Sequence, residues 1–179
     1  MVIDGDESKQ VGPGEMQQYY ASRCLLAAQS EFFTKLFARG DLEPRDKNGR
    51  YVYVMEGIEV DEFETVLRFL YSAMVVRELK KPIDLTKLLH AANKYRLEDL
   101  QNQCENLLAE QLQPATCLST LRTSDQVTAA TLKRKTLDYI RTNKLDIREL
   151  PGWADLSREL VGELWASAVC IPNLKKQRI

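Results

Sequence analysis

The side chains with the sharpest chemistry in these 179 residues are four cysteines, Cys24, Cys104, Cys117 and Cys170, and a single histidine, His90. No two cysteines stand at a C-x-x-C spacing, and a zinc centre needs clustered ligands. The spacings match no disulfide framework either, so the four read as reduced thiols that pack as small apolar residues. His90 lies off the apolar face of its own segment with no second ligand beside it, which makes it a surface or partly packed residue. Ser22 and Ser30 have no histidine partner that would build a triad. The acidic pairs Asp4/Asp6 and Glu62/Glu64 are better explained as solvated faces or helix caps than as a general acid and base. Neither the phosphate-cradling G-x-x-x-x-G-K-[ST] pattern nor G-x-G-x-x-G occurs. The residues therefore predict no enzyme, no catalytic group, no metal and no cofactor.

What remains for such a chain is recognition, and recognition depends on the elements that present its surfaces. Val2-Ile3 is a short apolar start, and Glu7–Gly14, with Gly12, Pro13 and Gly14, reads as a loop. A hairpin between a strand ending near Asp4 and one through Gln18–Tyr20 is predicted. Leu25, Leu26, Ala27 and Ala28 bring a helical pattern over Arg23–Ala28. Ser30 is placed to cap a short second helix carrying Phe33, Leu36 and Phe37. After a charged loop over 39–50, Tyr51-Val52-Tyr53-Val54-Met55 is the clearest strand candidate. Asp61 is placed to cap a helix with Phe63, Val66, Leu67 and Leu70 on one face. Asp84 is a candidate cap for the next, with Leu85, Leu88, Leu89 and Ala92 aligned. A break at Arg96–Asp99 precedes a helix through Leu100, Cys104, Leu107 and Leu108.

Beyond that point every segment reads as helix. Pro114 sits where a first-turn proline opens one. Leu118 and Leu121 follow. Leu132, Thr136, Tyr139 and Ile140 mark a longer helix ending near Asn143. Pro151-Gly152 is a turn, and Leu156, Leu160, Val161, Leu164 and Trp165 make a last amphipathic helix. A few strands early and helices thereafter indicate an α+β fold with an all-α tail.

Composition narrows the class of partner. There are 25 basic and 26 acidic residues, and 44% of the chain is hydrophobic. A balance this close to neutral exerts no long-range pull on phosphate, so nucleic acid is excluded as an expected partner. No apolar run approaches the roughly 20 residues that span a bilayer, and the polar, acidic N-terminus is no signal peptide. The expectation is a nuclear or cytoplasmic protein that contacts no membrane.

Three blocks of residues carry a resemblance. Tyr19-Tyr20-Ala21-Ser22-Arg23-Cys24-Leu25-Leu26-Ala27-Ala28-Gln29-Ser30-Glu31-Phe32-Phe33 resembles the BTB/POZ signature, with Ser22 where the family usually has histidine and Gln29 where it often has arginine. Val60–Ser72, closing on Arg68-Phe69-Leu70-Tyr71-Ser72, resembles the family's Phe-Ile/Leu-Tyr-Thr-Gly helix, with Ala73 replacing the glycine. Leu88-Leu89-His90-Ala91-Ala92-Asn93-Lys94-Tyr95-Arg96-Leu97-Glu98-Asp99-Leu100, followed by Cys104-Glu105, matches the family's Ala-Ala-Asp-Lys-Tyr…Cys-Glu run. The tail resembles that of speckle-type POZ proteins: Leu112–Lys133 their three-box helix pair, and Leu137–Trp153 the start of their BACK region. The resemblance runs over roughly residues 1–170 and is weakest in the first fifteen.

It implies a BTB/POZ fold over 1–111, a small sheet flanked by helices. A three-box and partial BACK extension follows over 112–170, then a basic tail over 171–179. It implies a protein–protein interaction module that brings cullin-3 to a ubiquitin-ligase substrate. The family's cullin-docking loop, an apolar-x-Glu motif, falls on Asp41-Leu42-Glu43-Pro44, with Pro44 where glutamate is expected. The cullin-binding residues carried over are Leu42, Glu43, Tyr71, Leu118 and Leu121. Those for dimerisation are Val2, Ile3, Leu25 and Leu26, with self-association weakened because the family's first helix and the start of its first strand are expected before Met1. The substrate-gripping MATH domain of speckle-type proteins is not in the sequence, so the chain reads as an adaptor without its substrate arm. Pro44 keeps a second reading open, a BTB oligomerisation or scaffolding module of the transcription-regulator type with no cullin contact.

Overall fold

A computed structural model describes residues 17–38, 44–72, 76–78 and 83–168. The chain divides into two compact units, residues 1–100 and 101–179. Among the described residues there are eight α-helices: α1 (Arg23–Gln29), α2 (Glu31–Phe37), α3 (Val60–Ser72), α4 (Leu85–Lys94), α5 (Glu98–Glu110), α6 (Cys117–Gln126), α7 (Ala130–Thr142) and α8 (Arg158–Ala168). The division between the units falls within α5.

In the first unit α1 packs on α2, α1 on α3, and α3 on α4. The expected faces are the buried ones. Leu26, Phe33, Val66, Leu70, Leu88, Leu89 and Tyr95 are each at most 1% exposed, and each of the six apolar side chains stabilises the fold by roughly 1.5–3 kcal/mol through burial. Aromatic rings form the centre. Phe33 stacks on Tyr95 at 5.6 Å, Phe32 meets Tyr95 edge-on at 5.0 Å, and Phe63 meets it at 6.1 Å. Burial pushes the Tyr95 phenol up to about 12.

The caps follow the local chemistry. Ser30 accepts from the Phe33 N–H at 3.4 Å, and Asp84 accepts from the N–H groups of Thr86 and Lys87 at 2.9 and 3.2 Å. At α3 the expectation needs correction. The helix begins at Val60, so Asp61 stands in its first turn and is not the cap. Glu62 reaches back instead and accepts from the Glu59 N–H at 3.4 Å, one half of a capping box.

The expected small sheet is not confirmed. Among the described residues there is no ladder; Arg45 and Tyr51 form an antiparallel bridge, and Tyr20 also stands in a bridge position. Val52 donates to the Pro44 carbonyl at 2.9 Å. A strand exists as paired backbone, and β-propensity alone does not supply the partner. Among the described residues only the short 44–46 segment lies opposite Tyr51–Met55. The predicted pairing of Gln18–Tyr20 with Val2–Asp4 involves residues outside those described.

In the second unit α6 packs on α7 and α7 on α8. Cys117, Leu118, Leu121, Ile140, Ile147, Leu160 and Leu164 form one buried cluster. Pro114 does not open α6. It sits in the turn before it, where the Gln113 carbonyl accepts from the Cys117 N–H at 2.9 Å. Gly152, at φ 85°, makes the turn ahead of α8, a conformation that favours glycine. Lys133 on α7 donates to Asp125 on α6 and to Glu163 on α8, both at 2.8 Å.

Candidate functional site

The three motif blocks lie far apart in sequence and meet inside the first unit. Ser30, 2% exposed, donates its hydroxyl to the Tyr95 carbonyl at 2.6 Å. The same oxygen caps α2, so one serine ends α1, starts α2 and holds the C-terminus of α4. Gln29 donates its amide to the Leu70 carbonyl at 2.7 Å. Tyr71 accepts the Ser22 N–H at 2.6 Å. The first block is therefore bonded to both of the others, and each bond satisfies a backbone group at or next to a helix end that would otherwise lack a partner.

The terminal Cys-Glu of the third block acts in the second unit. Glu105 is 4% exposed. One carboxylate oxygen accepts the Leu132 N–H at 3.0 Å, and the other accepts from the Gln101 side chain at 3.1 Å. Leu132 lies in the first turn of α7, whose own cap residue, Ala129, has no side-chain acceptor. Glu105 thus places a carboxylate at the positive end of a neighbouring helix. Cys104 beside it is fully buried. Burial first, and then the Glu105 charge, push its thiol up to about 12, so it forms no thiolate near neutral pH. Cys117 is raised by burial as well, while Cys24 is exposed.

The residues expected to bind partners divide into three sets. Leu42, Glu43, Val2 and Ile3 lie outside the described residues. Leu26, Leu118 and Leu121 are buried at 0–1% exposure, so their side chains serve the cores of their own units. Tyr71 is 43% exposed and Leu25 is half-buried. These two retain surface that a partner can cover. The Tyr71 ring is available while its hydroxyl is already engaged with Ser22.

Sequence reasoning missed an apolar groove in the first unit. It has a volume of about 460 Å³ and runs between residues 17–19, residues 52–55 and the start of α3, lined by Tyr19, Tyr53, Val54, Met55, Val60 and Phe63. Val54 is 63% exposed and Val60 38%. The signal was the two-residue alternation in Tyr51–Met55, which turns Tyr53 toward Phe37 at 5.0 Å and leaves Val54 outward. In the second unit Trp165 is 42% exposed, with the Arg148 guanidinium 5.4 Å from its ring. His90 is exposed on α4 beside the Glu59–Lys87 ion pair. Among the described residues no three His, Cys, Asp or Glu side chains converge as a metal centre requires.

Comparison with known proteins matches this arrangement. Residues 11–112 match the family model described as BTB/POZ domain. The chain is 28% identical over 137 residues to Protein maternal effect lethal 26 of Caenorhabditis elegans, covering 76% of this chain and 33% of that protein. It is 25% identical over 144 residues to Kelch-like protein 6 of Homo sapiens, covering 79% and 22%. It is 30% identical over 125 residues to Kelch repeat and BTB domain-containing protein 8 of Xenopus tropicalis, covering 70% and 20%. The chain thus spans a third or less of the length of these relatives.

Proposed function

Because the chain belongs to the BTB/POZ family, we propose that it works as a protein–protein interaction module and serves as the cullin-3-binding part of a ubiquitin-ligase substrate adaptor. The observation that carries the cullin half is the helical unit α6–α8 that follows the BTB/POZ domain. An oligomerisation module needs no such continuation. In this reading Leu42 is the apolar anchor and Glu43 its polar rim, which is how a small hot spot is built. The Tyr71 ring and the exposed residues of α6 add contact area, while Leu118 and Leu121 hold α6 in place from beneath. The likeness of the tail to speckle-type POZ proteins belongs to this proposal and rests on residue pattern. One relative is named for a kelch repeat beside its BTB domain and another is named Kelch-like, which supports a BTB module that works together with a further domain. Self-association through Leu25 is part of the same reading, as is a nuclear or cytoplasmic location.

Calorimetric titration of the folded chain with the N-terminal region of cullin-3 tests the proposal. Binding at micromolar concentration is expected. Absence of binding at tens of micromolar overturns the cullin half. Pro44 favours the second reading, an oligomerising scaffold, because it stands where the docking motif has glutamate. Its carbonyl is bonded to Val52, so the residue is built into the bridge beside Tyr51.

A further inference from the structure

Helices α4, α6 and α7 end in the same way. In each, the N–H two residues past the helix cap bonds to a carbonyl five residues back: Leu97 to Ala92 at 2.9 Å, Ala129 to Ser124 at 2.8 Å and Leu145 to Ile140 at 3.2 Å. This closure turns one residue left-handed, a place glycine fills at least cost. Here the residues are Arg96 at φ 54°, Thr128 at φ 57° and Lys144 at φ 51°. Arg96 is distinct from the other two in what surrounds it. It lines a groove of about 340 Å³ with Glu31, Phe32, Lys35, Leu36 and Lys94.

The charges of this groove are unequal. Glu31 is its one carboxylate, and it pairs with Lys35 at 2.6 Å. Lys94 donates to the neutral carbonyl of Glu56 and lies 5.6 Å from the Tyr95 ring centroid. The Arg96 guanidinium is in hydrogen-bond or salt-bridge contact with none of the described residues, and its charge acts on Glu31 from a longer distance. Three positive charges thus face one carboxylate among the lining residues, and they stand beside an apolar wall of half-buried Phe32 and Leu36.

We propose that this groove docks an acidic, extended peptide segment of a partner protein, which sets a carboxylate on Arg96 and an apolar side chain against Phe32 and Leu36. A guanidinium takes a carboxylate through two parallel N–H donors, a geometry the lysine ammonium lacks. The wall gives a peptide side chain something to bury that a phosphate backbone does not have. The ion pairs are partly exposed, so the affinity is modest and screened by salt. The site lies wholly in the first unit and is independent of the cullin reading.

The test is an NMR titration of the full chain, without cullin, using the blocked peptide Glu-Leu-Glu-Glu-Phe-Glu. A version with lysine for every glutamate and inorganic phosphate are run beside it. Amide shifts confined to residues 31–36 and 94–97, saturating below millimolar and weakening several-fold from 50 to 300 mM salt, are expected. Arg96→Gly relieves the left-handed strain, so it raises Tm by about 2–4 °C while weakening the peptide at least fivefold. Lys35→Glu weakens it too, with the fold intact. Equal shifts from the lysine peptide, the same shifts from phosphate alone, or unchanged binding by Arg96→Gly each overturn the proposal.

Discussion

Replacing Glu105 by alanine is the sharpest test of how the motif residues work. The carboxylate is 4% exposed and accepts the Leu132 N–H at 3.0 Å and the Gln101 amide at 3.1 Å. Alanine leaves the Leu132 N–H without an acceptor in a residue that is itself fully buried. Losing a hydrogen bond to a charged group costs about 1.5–3 kcal/mol. Losing the negative charge at the helix N-terminus adds about 0.3–1 kcal/mol. Relief of the carboxylate's own desolvation offsets part of this, so the net expectation is about 2–3 kcal/mol. Glu105→Gln keeps one acceptor oxygen for the Leu132 N–H but loses the charge and turns the oxygen that accepted from Gln101 into an NH2 donor, and is expected to cost about 1–2 kcal/mol. Both tryptophans, Trp153 and Trp165, lie in the second unit. Urea unfolding followed by their fluorescence therefore reads this unit alone, and hydrogen exchange at Leu132 gives the local readout. An alanine variant within 0.5 kcal/mol of the parent refutes the cap, and so does a glutamine variant as damaging as alanine.

Other consequences follow from the same geometry. Ser30→Ala removes the bond to Tyr95 and the α2 cap together, and circular dichroism in urea should show a loss of about 1–3 kcal/mol. Thr128→Gly should stabilise the second unit by about 1 kcal/mol in tryptophan-detected unfolding, because a β-branched residue at φ 57° is strained. Cys104 is raised from 9.0 to about 12, so the folded chain holds a proton that the unfolded chain releases above pH 9. That stability is fully present below pH 9 and is lost as pH rises toward 12, at about 1.4 kcal/mol per pH unit. Stability from urea unfolding should be level in this respect up to about pH 8.5 and about 1 kcal/mol lower by pH 10, and Cys104→Ala should remove that loss.

Helices were the legible part of this protein because their apolar period survives without knowledge of partners. The faces carrying Val66 and Leu70, Leu88 and Leu89, and Leu160 and Leu164 are all buried. The Ser30 and Asp84 caps were legible because a short polar side chain before an apolar run has one local use. Strand pairing was not, since Tyr51–Met55 announces propensity while pairing depends on what lies opposite. The reach of Glu105 to α7 was hidden for the same reason: its acceptor role belongs to a contact 27 residues away. Nothing in the sequence marks Arg96, Thr128 and Lys144 as left-handed, because glycine is the usual signal and is absent from all three. Leu118 and Leu121 show the limit for a binding site. Periodicity identifies the apolar face of α6, and that face turns to the core, which leaves the proposed docking surface to exposed residues that carry no periodic mark.

The most direct test of the proposed function is Leu42→Glu, measured against the cullin-3 N-terminal region by calorimetry and for self-association by sedimentation velocity. The adaptor reading predicts cullin affinity reduced at least a hundredfold with the sedimentation profile unchanged. Unaltered cullin affinity, or a loss of self-association in its place, contradicts it.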